Sequence, residues 1–318
     1  MIEKINYPTR LLKVESRKQF DDFQLKLFES DTEHIKEINR SIDRVLSLHK
    51  KGEDKYSIEL PDYFKDKLKN EELKTKVTSE LTGYELRALT AVVGMAQLAK
   101  SSNFLYYQED DHHAKFEFEL GMLYKLMGIN SSTYNKKSRE QVKDALASLH
   151  YKEFMVPVTG EKDNRKKVGF KIVRLVQFIE AYKFLDQKEE TTFLVQVYSC
   201  FFDYKSEKKQ NTYFLLPADI NQKLRKAQKG RPNVSIELFV KHLYQAQHCS
   251  KNSKIEYYYN TLIQVMNLDR YKKNSHYSRI KKTIENAFRV AVEIGLVNNI
   301  DIVPGKYGNK KYVIHFSN

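Results

Sequence analysis

The sequence predicts an α+β, helix-rich fold in which one helix–turn–helix–hairpin unit occurs twice, behind a charged helical N-terminal arm. Three observations predict it. The stretch Tyr257 to Phe316 reads strand, helix, turn, long helix, hairpin. An ungapped internal match relates Lys115–Ile129 to Lys254–Leu268. Gly 11 and Pro 6 are low counts for 318 residues, which favours packed helices over long flexible tails.

The chain length allows two domains with real cores. Formal net charge is +14, with 12% aromatic residues and no Trp. A surplus of that size favours a polyanionic partner, either nucleic acid or an acidic membrane surface. No apolar run approaches the roughly 18 residues of a membrane span. Met1–Asn6 lacks the apolar core of a signal peptide. Cys200 and Cys249 make neither a disulfide framework nor a zinc set, so a reducing cytoplasm is expected.

Residues 1–80 read as a charged, mostly helical arm. Ile35, Ile38, Ile42, Val45 and Leu46 mark one amphipathic helix between the N-cap Asp31 and the stop Gly52. Pro61 precedes a Lys/Glu-rich segment, Tyr63 to Lys76. Residues 81–187 form the first predicted unit. Thr82-Gly83-Tyr84-Glu85 is a capping-box signature, with Leu86, Leu89, Val93 and Ala96 following on one side. A polar loop from Ser101 to Ala114 comes next, and then the first copy of the internal match. Val142, Ala145, Leu146 and Leu149 mark its long helix. Phe154–Val158 and Val168–Val173 read as its closing hairpin, with Lys162, Arg165, Lys166 and Lys167 at the tip.

Lys188–Thr191 reads as the junction to the second unit, residues 188–318. Phe193–Tyr198 and Thr212–Leu216 read as a strand pair around the polar turn Lys205–Gln210. Helical patterns follow at Ala218–Lys226 and Ser235–Cys249. In the internal match, Lys115, Glu117, Leu123 and Met127 recur as Lys254, Glu256, Leu262 and Met266. Asp269–Ser275 reads as a polar turn. The long helix from about Tyr277 to Ile294 has one apolar stripe: Ile280, Ile284, Ala287, Phe288, Ala291 and Ile294. Gly295 suits its C-terminal stop. Ile300–Val303 and Tyr312–Phe316 form the last hairpin, with a basic tip. Helix-turn-helix plus hairpin is the winged-helix arrangement, and its recurrence points to duplication.

The outward side of the second long helix carries Arg279, Lys282, Asn286 and Arg289, opposite the apolar stripe. Arg and Lys donate to guanine edges or phosphates, and Asn pairs with adenine. Arg270, Lys272, Lys273 and Tyr277 lie at its approach, where a groove-entering helix meets phosphate. Lys306, Lys310 and Lys311 make the hairpin tip basic, and it is expected to touch phosphate or the minor groove. In the first copy, Lys136, Lys137, Arg139 and Lys143 are interspersed with Glu140 and Asp144. That helix is the poorer groove reader, and with Arg165, Lys166 and Lys167 it is expected to contact phosphate, to dimerise, or both.

These patterns resemble the iteron-binding plasmid replication initiators of the RepA/RepE/RepB type, which carry tandem winged helices. Leu81–Arg87 looks like the opening of their first domain. Tyr124–Ile129 followed by Val142–Leu146 is similar to their first helix-turn-helix. The resemblance covers residues 81–318; the arm before Leu81 has no counterpart in it. It implies double-stranded DNA with repeated origin sites as the target, a homodimer in balance with an active monomer, and a host initiator and replicative helicase as partners. No cofactor, metal or catalytic residue is expected. A winged-helix transcriptional regulator is the alternative, and a nicking or relaxase-type enzyme a weaker one. Pro61-Asp62 with Glu72-Leu73-Lys74 imitates a nuclease metal motif, but in a stretch of helical composition. Asp110-Asp111-His112-His113 lacks the separated spacing of a metal set. Tyr257-Tyr258-Tyr259 offers hydroxyls, but the His-x-His pair of relaxases is missing. No Gly-x4-Gly-Lys-Ser/Thr loop is present.

Overall fold

The computed structural model describes residues 3–9, 11–12, 81–107, 113–129, 135–152, 154–162, 165–182, 192–202, 213–228, 232–250, 253–305 and 310–317. It mixes helix and sheet and divides into two compact units. One comprises Met1–Ser16, Leu81–Tyr151 and Arg174–Asn318; the other comprises Arg17–Glu80 and Lys152–Val173. The helices expected around Ile35–Leu46 and Tyr63–Lys76 lie outside the described residues.

The first residues depart from the expected helical arm. Lys4–Pro8 is a strand, β1, paired antiparallel with Tyr213–Pro217 in the larger unit. Ile5 and Tyr7 alternate inward and are fully buried, the period-2 pattern of a strand with one face on a core. Gln97 fixes the strand from the side: its amide accepts from Asn6 N–H at 2.9 Å and donates to Asn6 C=O at 2.7 Å.

Helix α1 (Gly83–Ser101) begins with the expected capping box, Thr82 and Glu85 bonding reciprocally across the first turn. It is buried almost all round, as suits a helix at the centre of a unit. An edge strand β2 (Tyr106–Tyr107) and β3 (His113–Glu119) occupy part of the expected polar loop. Helices α2 (Leu120–Leu126) and α3 (Lys136–Tyr151) follow.

The hairpin after α3 is present but is not the one that completes the first copy. β4 (Phe154–Lys162) and β5 (Arg165–Val173) pair only with each other, in a sheet of their own. The strands that join β3 are β6 (Val176–Tyr182) and β7 (Thr192–Tyr198), in the order β2-β3-β7-β6. The expected junction at 187/188 thus falls between two hydrogen-bonded neighbours, inside one compact unit. The strand pair expected from Phe193–Tyr198 and Thr212–Leu216 does not form either. β7 lies between β3 and β6, while β8 (Tyr213–Pro217) takes β1 as partner. Hairpin signals are local, whereas the choice of sheet partner is not.

The C-terminal half follows the expected order: α4 (Ile220–Gln228), α5 (Val234–Cys249), β9 (Lys254–Tyr258) and α6 (Tyr259–Val265). The predicted polar turn contains a short helix, α7 (Asp269–Lys273), because Leu268 and Tyr271 turn inward against the core. Helix α8 (Tyr277–Glu293) and strands β10 (Val297–Pro304) and β11 (Lys310–Phe316) complete the chain. β11 lies between β10 and β9.

The internal match holds in three dimensions. β3–α2 and β9–α6 are equivalent at one constant offset, down to the helix ends. Ile129 N–H donates to Tyr124 C=O and Leu268 N–H to Ile263 C=O, both at 2.8 Å. The residue before each, Gly128 (φ 75) and Asn267 (φ 54), takes the left-handed conformation of a helix C-terminal stop. β7 on β3 repeats β11 on β9: Thr192 opposes Glu119 as Lys311 opposes Tyr258. Burial of Val142, Ala145 and Leu149 on α3 repeats that of Ile284, Ala287 and Ala291 on α8.

The two halves meet through α1 and α5. Arg87 Nε donates to Glu237 Oε1 at 2.7 Å, with both side chains almost wholly buried. Asn221 donates its amide to the carbonyls of Arg87 (3.2 Å) and Leu126 (2.8 Å). Lys241, also buried, donates to Tyr7 Oη at 3.0 Å. Gly83 admits the backbone of Pro232, where a Cβ would stand 2.4 Å from the proline side chain.

Candidate nucleic-acid interface

The inner face of α8 fixes the helix in place. Ile280, Ile284, Ala287, Val290 and Ala291 are buried in a core shared with α4, α5, α6, β10 and β11. Phe288 packs edge-on against Tyr312 at 5.4 Å between ring centroids. Burying such side chains stabilises by about 1.5–3 kcal/mol each for the large aliphatics, so the helix is held as a rigid rod.

Its outer face divides into two parts. The N-terminal turns are basic and open. Tyr277, Arg279, Lys281 and Lys282 are exposed, and Lys272 and Lys273 are exposed on α7. Lys272 Nζ donates to Asn260 Oδ1 at 3.1 Å, across to the start of α6. Arg279 lays its guanidinium over the Tyr271 ring, 4.6 Å from the centroid, and Arg270 covers the same ring at 4.9 Å. Arg270 also donates to the Tyr271 hydroxyl at 3.1 Å.

The C-terminal turns are different. Glu285 is exposed and 3.9 Å from Lys281. Arg289 donates to Glu293 at 2.6 Å and to Ala227 C=O, at the end of α4, at 3.1 Å. It is exposed, yet it braces two helices. Asn286 is half-buried. Four side chains expected to act as one row therefore separate: Arg279 and Lys282 are free to meet a ligand, Asn286 is less so, and Arg289 is engaged.

On the last hairpin, Lys310 is exposed, whereas Lys311 donates to Glu256 on β9 at 3.0 Å. Lys306 lies outside the described residues. Lys136, Lys137, Arg139 and Lys143 are exposed on α3, alongside exposed Glu140 and Asp144. Asn135 caps that helix by accepting from Ser138 N–H at 2.9 Å. Arg165, Lys166 and Lys167 lie on β5, opposite Lys162, Glu161 and Gly160, in the second compact unit.

No group of three or more His, Cys, Asp or Glu side chains gathers among the described residues to hold a metal ion, and no described helix is long and apolar enough to cross a membrane. The motifs at Pro61–Lys74 and Asp110–His112 lie outside the described residues, while His113 stacks edge-on with Tyr198. Burial pushes the Tyr257 phenol up to about 12, which disfavours the phenolate a nucleophile needs.

Tyr271, Glu285 and the Arg87–Glu237 pair escaped the sequence reading. The inward spacing of Leu268 and Tyr271 was the available signal for the first. Nothing in the local sequence marks Arg87 and Glu237 as partners 150 positions apart. No protein-family model matches the chain, and no curated protein matches it.

Proposed function

We propose that this chain is a sequence-specific double-stranded DNA-binding protein, built on two tandem winged helices, that initiates replication of a plasmid or similar replicon at repeated origin sites. The observation that carries the DNA-binding part is the N-terminal half of α8. It presents Arg279 and Lys282, flanked by Lys272 and Lys273, on a helix whose opposite side is locked into the core. That half meets base edges in helix-turn-helix proteins, and cations around it neutralise phosphates. The net charge of +14 supports the same partner.

In this reading β10–β11 is the wing of the second copy and β6–β7 the wing of the first. The hairpin β4–β5 is an insertion with its own basic residues. The first copy, whose helix α3 mixes acids with bases, supplies phosphate contacts, a homodimer surface, or both. The replication role rests on the resemblance in sequence pattern, and with it the host initiator and replicative helicase as partners.

Two linked experiments test the proposal. Selection from a random duplex library by the full chain should enrich one motif, and that motif should recur as direct repeats beside the coding sequence. A marker plasmid whose only origin is that repeat region should yield transformants only when the chain is supplied. Enrichment without replication, together with repression of an adjacent reporter, would assign the protein to transcription instead. Failure to enrich any motif would remove the DNA-reading proposal itself.

A further inference from the structure

We propose that Tyr271 is a positioning residue: it holds the Arg279 guanidinium flat and edge-outward so that Arg279 reads a guanine in the target duplex. The inference rests on the DNA-binding reading above and names the specificity device within it.

Tyr271 belongs to α7 but is anchored from behind, partly buried against the core that also holds α8. Its ring is covered by two cations, Arg279 at 4.6 Å and Arg270 at 4.9 Å from the centroid. Both distances lie within the roughly 6 Å reach of a cation–π contact. Arg270 is tied further, through its bond to the Tyr271 hydroxyl. Among the described residues the Arg279 guanidinium meets no hydrogen-bond acceptor or ion-pair partner, and the Tyr271 ring is the surface it lies over.

A stacked guanidinium keeps its N–H donors in its own plane, pointing away from the ring edge. That planar fork matches the O6 and N7 acceptors of guanine in the major groove. Arg279 is the third residue of α8, in the first turn, where a recognition helix meets base edges. Lysine is not equivalent to it. An ammonium can donate to a guanine edge, but as a point charge without a plane that a ring could orient. The two guanidinium groups on one ring also repel each other, which a nearby DNA anion relieves.

The test uses the full chain and the duplex it selects from a random library. Each guanine of that duplex is replaced in turn by 7-deazaguanine, which lacks the N7 acceptor but still pairs with cytosine. Wild type should lose about 5- to 150-fold in affinity at one guanine, the range of a bidentate arginine contact. Arg279→Ala should show no penalty at that guanine. Tyr271→Leu should also lose the penalty, whereas Tyr271→Phe, which keeps the ring, should retain it. Circular dichroism monitors the fold of the Tyr271→Leu chain. If that chain unfolds, Tyr271→Met takes its place, keeping an apolar contact with the core but carrying no ring. A folded Tyr271→Leu chain with the full penalty overturns the proposal. So does an Arg279→Ala chain that keeps it, or a wild type indifferent to 7-deazaguanine throughout. If no motif is enriched at all, the DNA-reading proposal fails first and takes this one with it.

Discussion

Arg279 and Arg289 share one face of α8 in the sequence, yet they do different things. Helical periodicity placed both on the outward side and could go no further. What separates them is the neighbour each meets: Tyr271 for Arg279, and the end of α4 with Glu293 for Arg289. Arg289→Ala should therefore cost about 1 kcal/mol of stability in urea unfolding, with little change in preference between selected and scrambled duplexes. Loss of preference with unchanged stability would restore Arg289 to the reading face. Arg87 is the opposite case, a charge wholly inside the molecule. Removing one member of a buried pair leaves the other uncompensated, so Arg87→Ala should cost about 3–5 kcal/mol by the same measurement. A loss below about 1 kcal/mol would mean that water reaches the pair.

His150 makes a pH-dependent contact of its own. Its Nδ1 accepts from Phe178 N–H at 3.1 Å, joining α3 to β6. Burial, then the Arg174 charge, holds its pKa below the ordinary 6.5. The folded state thus favours the neutral ring. The stability this gives is present above the ordinary value and is lost as pH falls through the lower folded value. The urea midpoint of wild type should drop more than that of His150→Gln between about pH 7 and pH 5. Equal drops would show that this contact does not couple protonation to folding.

At the scale of elements, most helices and the hairpins β4–β5 and β10–β11 were legible, and the pairings between distant strands were not. Capping at Thr82, the stripe on α8 and the stop at Gly295 are each written within a few residues. The hairpin β4–β5 was equally legible as a hairpin. Alternation and a basic tip say that two strands pair; they do not say which sheet receives them. The strand β1 was missed for a similar reason. Its alternating Ile5 and Tyr7 occupy five residues at the head of a charged segment, and its partner β8 lies more than 200 positions away. Two left-handed glycine stops give a test of packing. Gly295→Ala should cost about 1–2 kcal/mol from its backbone conformation alone, because nothing lies within 4 Å of the added Cβ. Gly128→Ala should cost more, since its Cβ would stand 2.7 Å from Asn221 C=O. Thermal unfolding of the two variants ranks them, and the reverse ranking would contradict the packing of α4 on that turn.

At the scale of the whole molecule, the two repeats are joined by polar groups as well as by apolar packing. Arg87, Glu237 and Asn221 hold them in one arrangement. Buried polar contacts of this kind fix geometry, since each wrong register leaves a charge unpaired. The most direct measurement is the affinity of the full chain for its selected duplex and for a scrambled duplex of equal length, across a salt series, in wild type and Lys282→Ala. The account predicts a selected-to-scrambled ratio of at least about a thousandfold and log K falling steeply with log salt. It also predicts that Lys282→Ala weakens the selected duplex by about 1–3 kcal/mol while the fold persists. Equal affinity for both duplexes, or binding indifferent to salt, would contradict it.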